Sequence, residues 1–342
     1  MRISELGEFG LITLIHSNIT KSENSKLTPW KEVVAGIGDD AAAWQFNDHL
    51  QLATTDTLVQ DIHFDLDVIN WEELGWKALA VNLSDIAAMG GIPKYALLAL
   101  ALPGELEVEN IFKFTDGMLH LAKKLRVAIV GGNIAAAPNV VITVTIIGCS
   151  EGESILKRST ASPGDRIAVT GYLGLSAAAL EMFKAKTISD LKLHNVLRQA
   201  HFKPMPKVKE GRLLVKQGVK TAIDISDGLI ADLDHICESS RVNAKININQ
   251  VPIHPVVTEN FPNYRELALS GGEDYELLFT ADEATINRVK QTLDCTVTVI
   301  GDIIKEQSPT RVAVVDSTGN VIHYKKGGWE HFKHGVREVK FA

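Results

Sequence analysis

The chain has 342 residues, of which 45% are hydrophobic and 23% are charged, a composition typical of a globular protein with about two domains. Its 42 Asp and Glu residues exceed its 35 Lys and Arg residues, and the net charge of -7 argues against nonspecific nucleic-acid binding. No apolar run approaches the roughly 20 residues that span a bilayer, the N-terminus lacks a secretory pattern, and the three cysteines are widely spaced. A membrane protein, a disulfide scaffold and a zinc ribbon are therefore excluded, and we expect a cytoplasmic protein.

Apolar runs of strand length recur along the chain, at 50–55, 95–102, 127–130, 140–147, 166–170, 220–225, 275–280 and 296–300. Several of these runs are continuous rather than alternating, which predicts strands that are covered on both faces. Helical spacing or helix-forming composition predicts helices at 71–89, 116–125, 174–184 and 229–236. This mixture predicts an α/β or α+β protein.

A polar segment at 151–165 indicates the main domain boundary, because Pro163 and Gly164 stand just before a predicted strand. We therefore predict an N-terminal domain at 1–150 and a C-terminal α/β domain at 151–342.

Several carboxylates lie at strand ends or beside glycine, within otherwise apolar sequence. They are Asp39 and Asp40 in GIGDDAA, Asp56 in ATTDTL, Asp85 in VNLSDIAAMGG, Asp224 and Asp227 in AIDISDGL, and Glu273 and Asp274 in SGGEDYEL. Burying one unpaired carboxylate costs several kcal/mol, so this many near the core need a shared cation or basic partners. Mg²⁺ prefers such oxygen ligands together with phosphates. Taken singly, each of these residues also fits a turn, a helix cap or an exposed position, but together they predict a metal-phosphate site.

The absence of several well-known motifs limits which activities the chain can have. The sequence has no GxxxxGK[ST], so a nucleotide would be held through metal ions rather than a Walker loop, and it has no HExxH or GxSxG. His63 fits either a ligand or a structural histidine, and Arg158 fits either a phosphate ligand or a linker charge. Trp329 fits either a core aromatic or a ring that stacks on a heterocycle.

The motifs GEFGLI, GIGDDAA, TTDTLVQDIHF, KALAVNLSDIAAMGG, AIDISDGLIADL, SGGEDYEL and GGWEHF, in this order, resemble those of the thiamine-phosphate kinase family. The similarity runs from Gly7 to Phe332. It implies the aminoimidazole-ribonucleotide-synthetase-like fold, with two α/β domains of which the N-terminal one binds nucleotide and metal and forms a homodimer. It also implies phosphorylation of thiamine phosphate to thiamine diphosphate, with ATP as co-substrate and several Mg²⁺ ions.

The resemblance implies roles for particular residues of this chain. Magnesium ligands are expected at Asp40, Thr54, Thr55, Asp56, Asp85, Asn133, Asp224 and Asp227. Nucleotide contacts are expected at Thr55, Gly132, Asn133, Arg158 and Ser226, and thiamine phosphate contacts at His63, Glu273 and Trp329. No protein base is expected, because the phosphate nucleophile is already an anion; metal-bound Asp85 and Asp224 would stabilise the developing charge.

The chain departs from the family pattern after the strand predicted at 127–130. The family often has Gly-Gly-Asp-Thr-Thr there, whereas this chain has Gly131-Gly132-Asn133-Ile134-Ala135. An amide oxygen ligates Mg²⁺ without bringing a charge, so this ion should bind more weakly. The departure motivates an alternative, a divergent relative that binds nucleotide or thiamine phosphates without catalysis or acts on an altered substrate.

Two other activities of the superfamily are disfavoured by the positions of the cysteines. Selenophosphate synthetase is disfavoured because no Cys lies near a Gly-rich N-terminal loop, and the hydrogenase-maturation relative because the chain ends at Ala342 without a terminal Cys.

Overall fold

Two six-stranded sheets organise the chain, the first within residues 33–149 and the second within residues 166–315. The structure is a computed structural model, and it describes residues 3–22, 26–185, 190–306, 310–322 and 328. No described helix is long and apolar enough to cross a membrane.

The first half starts with helices α1 (Ile3–Leu6) and α2 (Glu8–Lys21). It continues with β1 (Val33–Ala35), β2 (Ala42–Phe46), β3 (His49–Val59), α3 (Trp71–Ala88), β4 (Ile92–Leu102), α4 (Val108–Leu125), β5 (Ala128–Ala136) and β6 (Val141–Cys149). The sheet has the order β1-β2-β3-β6-β4-β5, with β4 and β5 parallel and the other neighbours antiparallel.

This first sheet is buried on one face only. Along β6, buried Ile142, Val144 and Ile146 alternate with the less buried Thr143 and Thr145. The buried face packs against α3. The prediction that the continuous apolar runs are covered on both faces was wrong for a single chain, because none of its described residues covers the second face and β5 is an exposed edge strand.

The second half contains β7 (Arg166–Thr170), α5 (Leu175–Ala185), α6 (Leu191–Phe202), α7 (Val208–Lys216), β8 (Thr221–Asp224), α8 (Leu229–Ser240) and β9 (Val242–Asn247). It ends with α9 (Pro255–Asn260), α10 (Tyr264–Ser270), β10 (Leu277–Ala281), α11 (Glu283–Thr292), β11 (Val297–Lys305) and β12 (Val312–Val315). The sheet order is β12-β9-β11-β7-β10-β8, and β12 and β9 are its parallel pair. Every run predicted as a strand or helix overlaps an element of that type, so the mixed α/β class is confirmed.

Helix α3 joins the two halves. It begins with a capping box in which the Asn70 side chain and Glu73 exchange hydrogen bonds, and it is buried on nearly all sides. A helix that is apolar all round must be covered all round; α3 packs on the first sheet and also contacts α6, α7 and β8 of the second half. The Trp76 indole donates a hydrogen bond to the Pro204 carbonyl (2.7 Å). Polar side chains on α3 therefore lie between the two halves.

Helices α3 and α4 cross in backbone contact at two glycines. A Cβ atom at Gly75 would lie 1.8 Å from the carbonyl oxygen of Phe114, and one at Gly117 would lie 1.8 Å from that of Glu72. Neither position has room for a side chain, which fixes how closely α4 holds α3 against the sheet.

Gly117→Ala should therefore destabilise the protein. Overpacking costs about 1–3 kcal/mol, which exceeds the gain of about 1 kcal/mol that alanine brings to a helix. The thermal unfolding midpoint should fall, whereas Gly104→Ala, at a site with no heavy atom within 4 Å, should leave it unchanged. Equal midpoints for Gly117→Ala and the wild type would contradict the close crossing.

Candidate metal site between the two halves

Three carboxylates meet where the two halves join. Asp40, Asp85 and Asp224 each offer an oxygen, and these oxygens lie within 4.8 Å of one another. Asp40 lies between β1 and β2, Asp85 is near the C-terminal end of α3, and Asp224 ends β8. The cluster therefore depends on contacts between both halves of the chain.

The last turns of α3 hold the neighbouring strands in place. Thr54 Oγ1 on β3 donates a hydrogen bond to Asp85 Oδ2 (2.6 Å), and the backbone N–H of Asp56 donates to Asn82 Oδ1 (2.8 Å). On the other side, the fully buried Ser84 donates its hydroxyl to Asp224 Oδ2 (2.6 Å). One short helical segment thus aligns β3 and β8 with the cluster.

The protonation of the cluster reflects burial and mutual repulsion. Burial, with the charge of Asp40 next, raises the pKa of Asp224 to about 8. Burial and the charges of Asp56, Asp224 and Asp40 raise the pKa of Asp85 well above its ordinary value. Carboxylates this close cannot all ionise cheaply without a cation. A cation that binds here would therefore be strongly stabilised.

Arg158 supplies one positive charge to the cluster. Its Nη2 donates to Asp40 Oδ1 (2.6 Å) and its Nε to Oδ2 (3.3 Å), and the Asp40 side chain is only 1% exposed. Asp85 and Asp224 have hydroxyl partners but no such ion pair among the described residues. The donor set of carboxylate oxygens fits a hard divalent cation such as Mg²⁺, which Asp40, Asp85 and Asp224 would hold.

The turn from β8 into α8 is organised by Asp232, an acid that the sequence motifs did not single out. Buried Asp232 Oδ2 accepts backbone N–H hydrogen bonds from Ser226 (3.1 Å), Asp227 (3.2 Å) and Gly228 (3.0 Å). The residue before α8 is Gly228, with a φ of 123° and no side-chain cap, so neither Ser226 nor Asp227 caps this helix. The fixed turn places Ser226 and Asp227, both partly buried, beside Asp224. The only sequence signal for Asp232 is an acid in the first turn of a predicted helix.

A second loop packs against this turn. A Cβ atom at Gly272 would lie 2.3 Å from the Ser226 carbonyl oxygen, so only glycine fits there. Next to it, the N–H of Glu273 donates to Ser226 O (2.7 Å), and Glu273 itself has a φ of 64°. The carboxylate of Glu273 lies 2.9 Å from Lys77 Nζ on α3.

Glu273 stays ionised although it is largely enclosed. Burial acts to raise its pKa, but the charge of Lys77 and the hydrogen bond from its ammonium group outweigh burial and lower the pKa below its ordinary value. His63 is also among the groups that act electrostatically on the Glu273 carboxylate. The Nδ1 atom of His63 accepts a hydrogen bond from the N–H of Val59 (2.9 Å), which fixes the ring.

The remaining predicted site residues lie elsewhere. Thr55 points to the open face of the first sheet, where its hydroxyl contacts Thr145 Oγ1 (3.0 Å). Gly132 and Asn133 are on β5, and β6 and β4 separate this strand from β3. Asn133 is thus about 14 Å, three strand spacings, from β3, and a single chain does not bring it to the cluster. Trp329 lies outside the described residues.

Comparison with known proteins identifies the family of this chain. Residues 38–150 match the family model of the AIR synthase related protein N-terminal domain, and residues 162–314 match that of its C-terminal domain. The thiamine-monophosphate kinase of Buchnera aphidicola subsp. Schizaphis graminum is 36% identical over 337 residues, which cover 96% of this chain and 99% of that protein. The Bacillus subtilis thiamine-monophosphate kinase is 38% identical over 313 residues, covering 88% and 94%.

A solved structure agrees with these relatives. AaThiL complexed with AMPPCP and TMP superimposes with a TM-score of 0.83 at 33% identity, over 97% of this chain and 99% of that one. The chain therefore belongs to the AIR synthase related family and, within it, to the thiamine-monophosphate kinases. The resemblance and the two-domain fold that the sequence motifs predicted are confirmed.

Ser84→Ala should weaken metal binding, because it removes the hydroxyl that orients Asp224. Loss of such a supporting hydrogen bond costs about tenfold or more in metal affinity. Titration with Mn²⁺, followed by calorimetry, measures this directly. Ser150→Ala is the matched control, since Ser150 is a buried hydrogen-bonded serine near Leu50 and remote from the cluster. Unchanged Mn²⁺ affinity in Ser84→Ala would contradict the assigned role.

Proposed function

We propose that this protein transfers the γ-phosphoryl group of ATP to the phosphate of thiamine phosphate, giving thiamine diphosphate and ADP. The carrying observation is the cluster of Asp40, Asp85 and Asp224, assembled from both halves of a chain of this family. AaThiL, a relative of the same fold, is complexed with AMPPCP and TMP. We read these as an ATP analogue and thiamine monophosphate, and we carry both ligand classes over to this chain.

Bringing two polyanions together is the main physical difficulty of this reaction. The acceptor phosphate is already anionic at neutral pH, so no side chain has to remove a proton from it. Magnesium, when bound, would supply charge screening and stabilise the charge that develops on the transferred group. The chain's own part is to hold cations: Asp40, Asp85 and Asp224 as ligands, with Thr54, Asp56 and Asp227 alongside.

Arg158 and Ser226 complete the proposed binding site for the phosphates of ATP. The Arg158 guanidinium, fixed by Asp40, lies beside the cluster and would contact the nucleotide phosphates. Ser226 lies in the turn that Asp232 fixes, and we propose that its hydroxyl contacts ATP. At the other end, Glu273 and His63 would bind thiamine phosphate, and Trp329 keeps its predicted role in that contact.

We further propose that the protein is a homodimer. The open face of the first sheet exposes Tyr95 by 50% and Leu97 by 37%, and the edge strand β5 exposes Val130 by 57% and Ile134 by 76%. An apolar sheet face and a long apolar edge are features that proteins cover. The continuous apolar runs predicted two covered faces, and a second copy of the chain would supply the missing cover. Sedimentation of the full-length protein measures this.

The dimer would also explain the positions of Thr55 and Asn133, which a single chain keeps away from the carboxylate cluster. By strand alternation and register, Thr55 and Asn133 lie on the open face of the first sheet. We propose that residues 1–150 carry nucleotide, metal and dimer contacts, including those of Gly132, Thr55 and Asn133 at the interface, and that residues 151–342 complete the site. Because its proposed phosphoryl donor is ATP, we place the reaction in the cytoplasm.

The competing hypothesis is a noncatalytic or altered-substrate relative, motivated by Asn133. Assembly of the three-carboxylate cluster favours catalysis, because a protein that only binds its ligand does not need several metal-binding acids between its domains.

A coupled ADP-release assay with ATP, thiamine phosphate and varied Mg²⁺ tests the proposal. The wild type should release ADP only when both thiamine phosphate and Mg²⁺ are present. Asp85→Ala should lower kcat by roughly 100-fold or more, because it removes a ligand of the magnesium that would stabilise the charge on the transferred group. Asp48→Ala, at an exposed position, should turn over normally.

Near-normal turnover in Asp85→Ala would overturn the mechanism. No ADP release by the wild type, despite measurable thiamine phosphate binding, would favour the noncatalytic alternative.

A further inference from the structure

Lys77 is a buried cation that has no role in the proposed phosphoryl transfer. It lies on α3, two helical turns before Ser84, and its side chain is 1% exposed. A lysine is almost never this buried without a partner. Its partner is Glu273 of the second half, at 2.9 Å between Nζ and Oε1.

A neutral histidine supports this ion pair. Burial, together with the charge of Lys77, lowers the pKa of His201 to about 3. Its Nε2 lies 3.5 Å from Lys77 Nζ and its Nδ1 lies 2.8 Å from Ser176 Oγ. Since Lys77 can only donate, Nε2 is the acceptor and Nδ1 carries the proton. The same Nδ1 lies 3.5 Å from Glu273 Oε2, so both carboxylate oxygens have a neighbour on this side.

The surroundings of Glu273 are asymmetric. Lys77 and His201 lie on the enclosed side, whereas the Glu273 side chain remains 31% exposed. Its backbone is held at a φ of 64° by the hydrogen bond to Ser226 O. Such a conformation is unfavourable for a residue other than glycine and persists where the surroundings enforce it. Glu273 is thus fixed twice, through its backbone to the Ser226 turn and through its side chain to α3.

We propose that Lys77 is a positioning residue for thiamine phosphate: it holds the Glu273 carboxylate in one orientation, with its exposed side facing the substrate. The inference rests on the proposed function, in which Glu273 contacts thiamine phosphate. If Lys77 only linked α3 to α6, the outcome would differ: its substitution would lower the stability of the protein and weaken the binding of both substrates alike.

The chain offers a matched control for that structural role. Arg198 on α6 forms a two-pronged ion pair with buried Glu73, one turn before Lys77 on the same helix. This pair links the same two helices but does not contact Glu273. Breaking it should therefore destabilise the protein without affecting thiamine phosphate.

The test uses the full-length protein and calorimetric titration, in Mg²⁺, with thiamine phosphate or AMPPCP separately. Lys77→Met should weaken thiamine phosphate binding by about tenfold or more, because Glu273 loses the charge-assisted hydrogen bond that orients its carboxylate. AMPPCP binding should stay within about twofold. Arg198→Met should lower the thermal midpoint yet keep both affinities within about twofold.

A double variant covers the case in which Lys77→Met does not fold. Lys77→Met with Glu273→Gln removes both charges and leaves no buried charge unpaired. If Lys77 acts through Glu273, adding Lys77→Met to Glu273→Gln should change thiamine phosphate affinity by less than about twofold.

Three results would overturn the inference: unchanged thiamine phosphate affinity in Lys77→Met, equal loss of both ligands, or a full additional loss in the Glu273→Gln background. Failure of the wild type to bind thiamine phosphate would instead overturn the proposed function and, with it, this inference.

Discussion

The repulsion among Asp40, Asp85 and Asp224 is the constraint on which the rest of the structure depends. Their oxygens lie within 4.8 Å of one another in a partly enclosed space, and Arg158 forms an ion pair with Asp40. Such an arrangement is unfavourable unless the acids take up protons or bind cations, and the surrounding hydrogen bonds must keep the acids from moving apart. The acidic residues, whose excess first argued only against nucleic acid, thus include a cluster at which we propose that a metal binds.

Helix α3 is what keeps these acids together. Its apolar surface is covered by the first sheet on one side and by the second half of the chain on the other. Because it is held from both sides, its polar residues can connect segments that are distant in sequence. Ser84 and Asp85 serve the carboxylate cluster, and Lys77 contacts Glu273 two turns away. The packing of this helix therefore determines the positions of the polar residues in the site.

The sequence predicted the secondary-structure elements and the clustered carboxylates, but it did not predict which strands and side chains would lie beside one another. Long apolar runs predicted the strands that carry Thr54 and Asp224, and carboxylates within apolar sequence predicted the cluster, since both signals are local. The position of β5 at an exposed edge was missed, because an apolar run does not tell which strands lie beside it. Lys77 and Asp232 were also missed. Each looks like an ordinary helical residue, and their partners become apparent only in the folded chain.

The response of thermal stability to Mg²⁺ tests the central claim most directly. A ligand that binds the folded state raises its unfolding midpoint, and here it would also relieve the repulsion between the acids. The midpoint of the wild type should rise with Mg²⁺ concentration, and this rise should shrink in Asp224→Asn, which keeps the shape of the side chain but removes one charge. A wild-type midpoint that does not respond to Mg²⁺, or an equal rise in both proteins, would contradict the assignment of these carboxylates as a metal site.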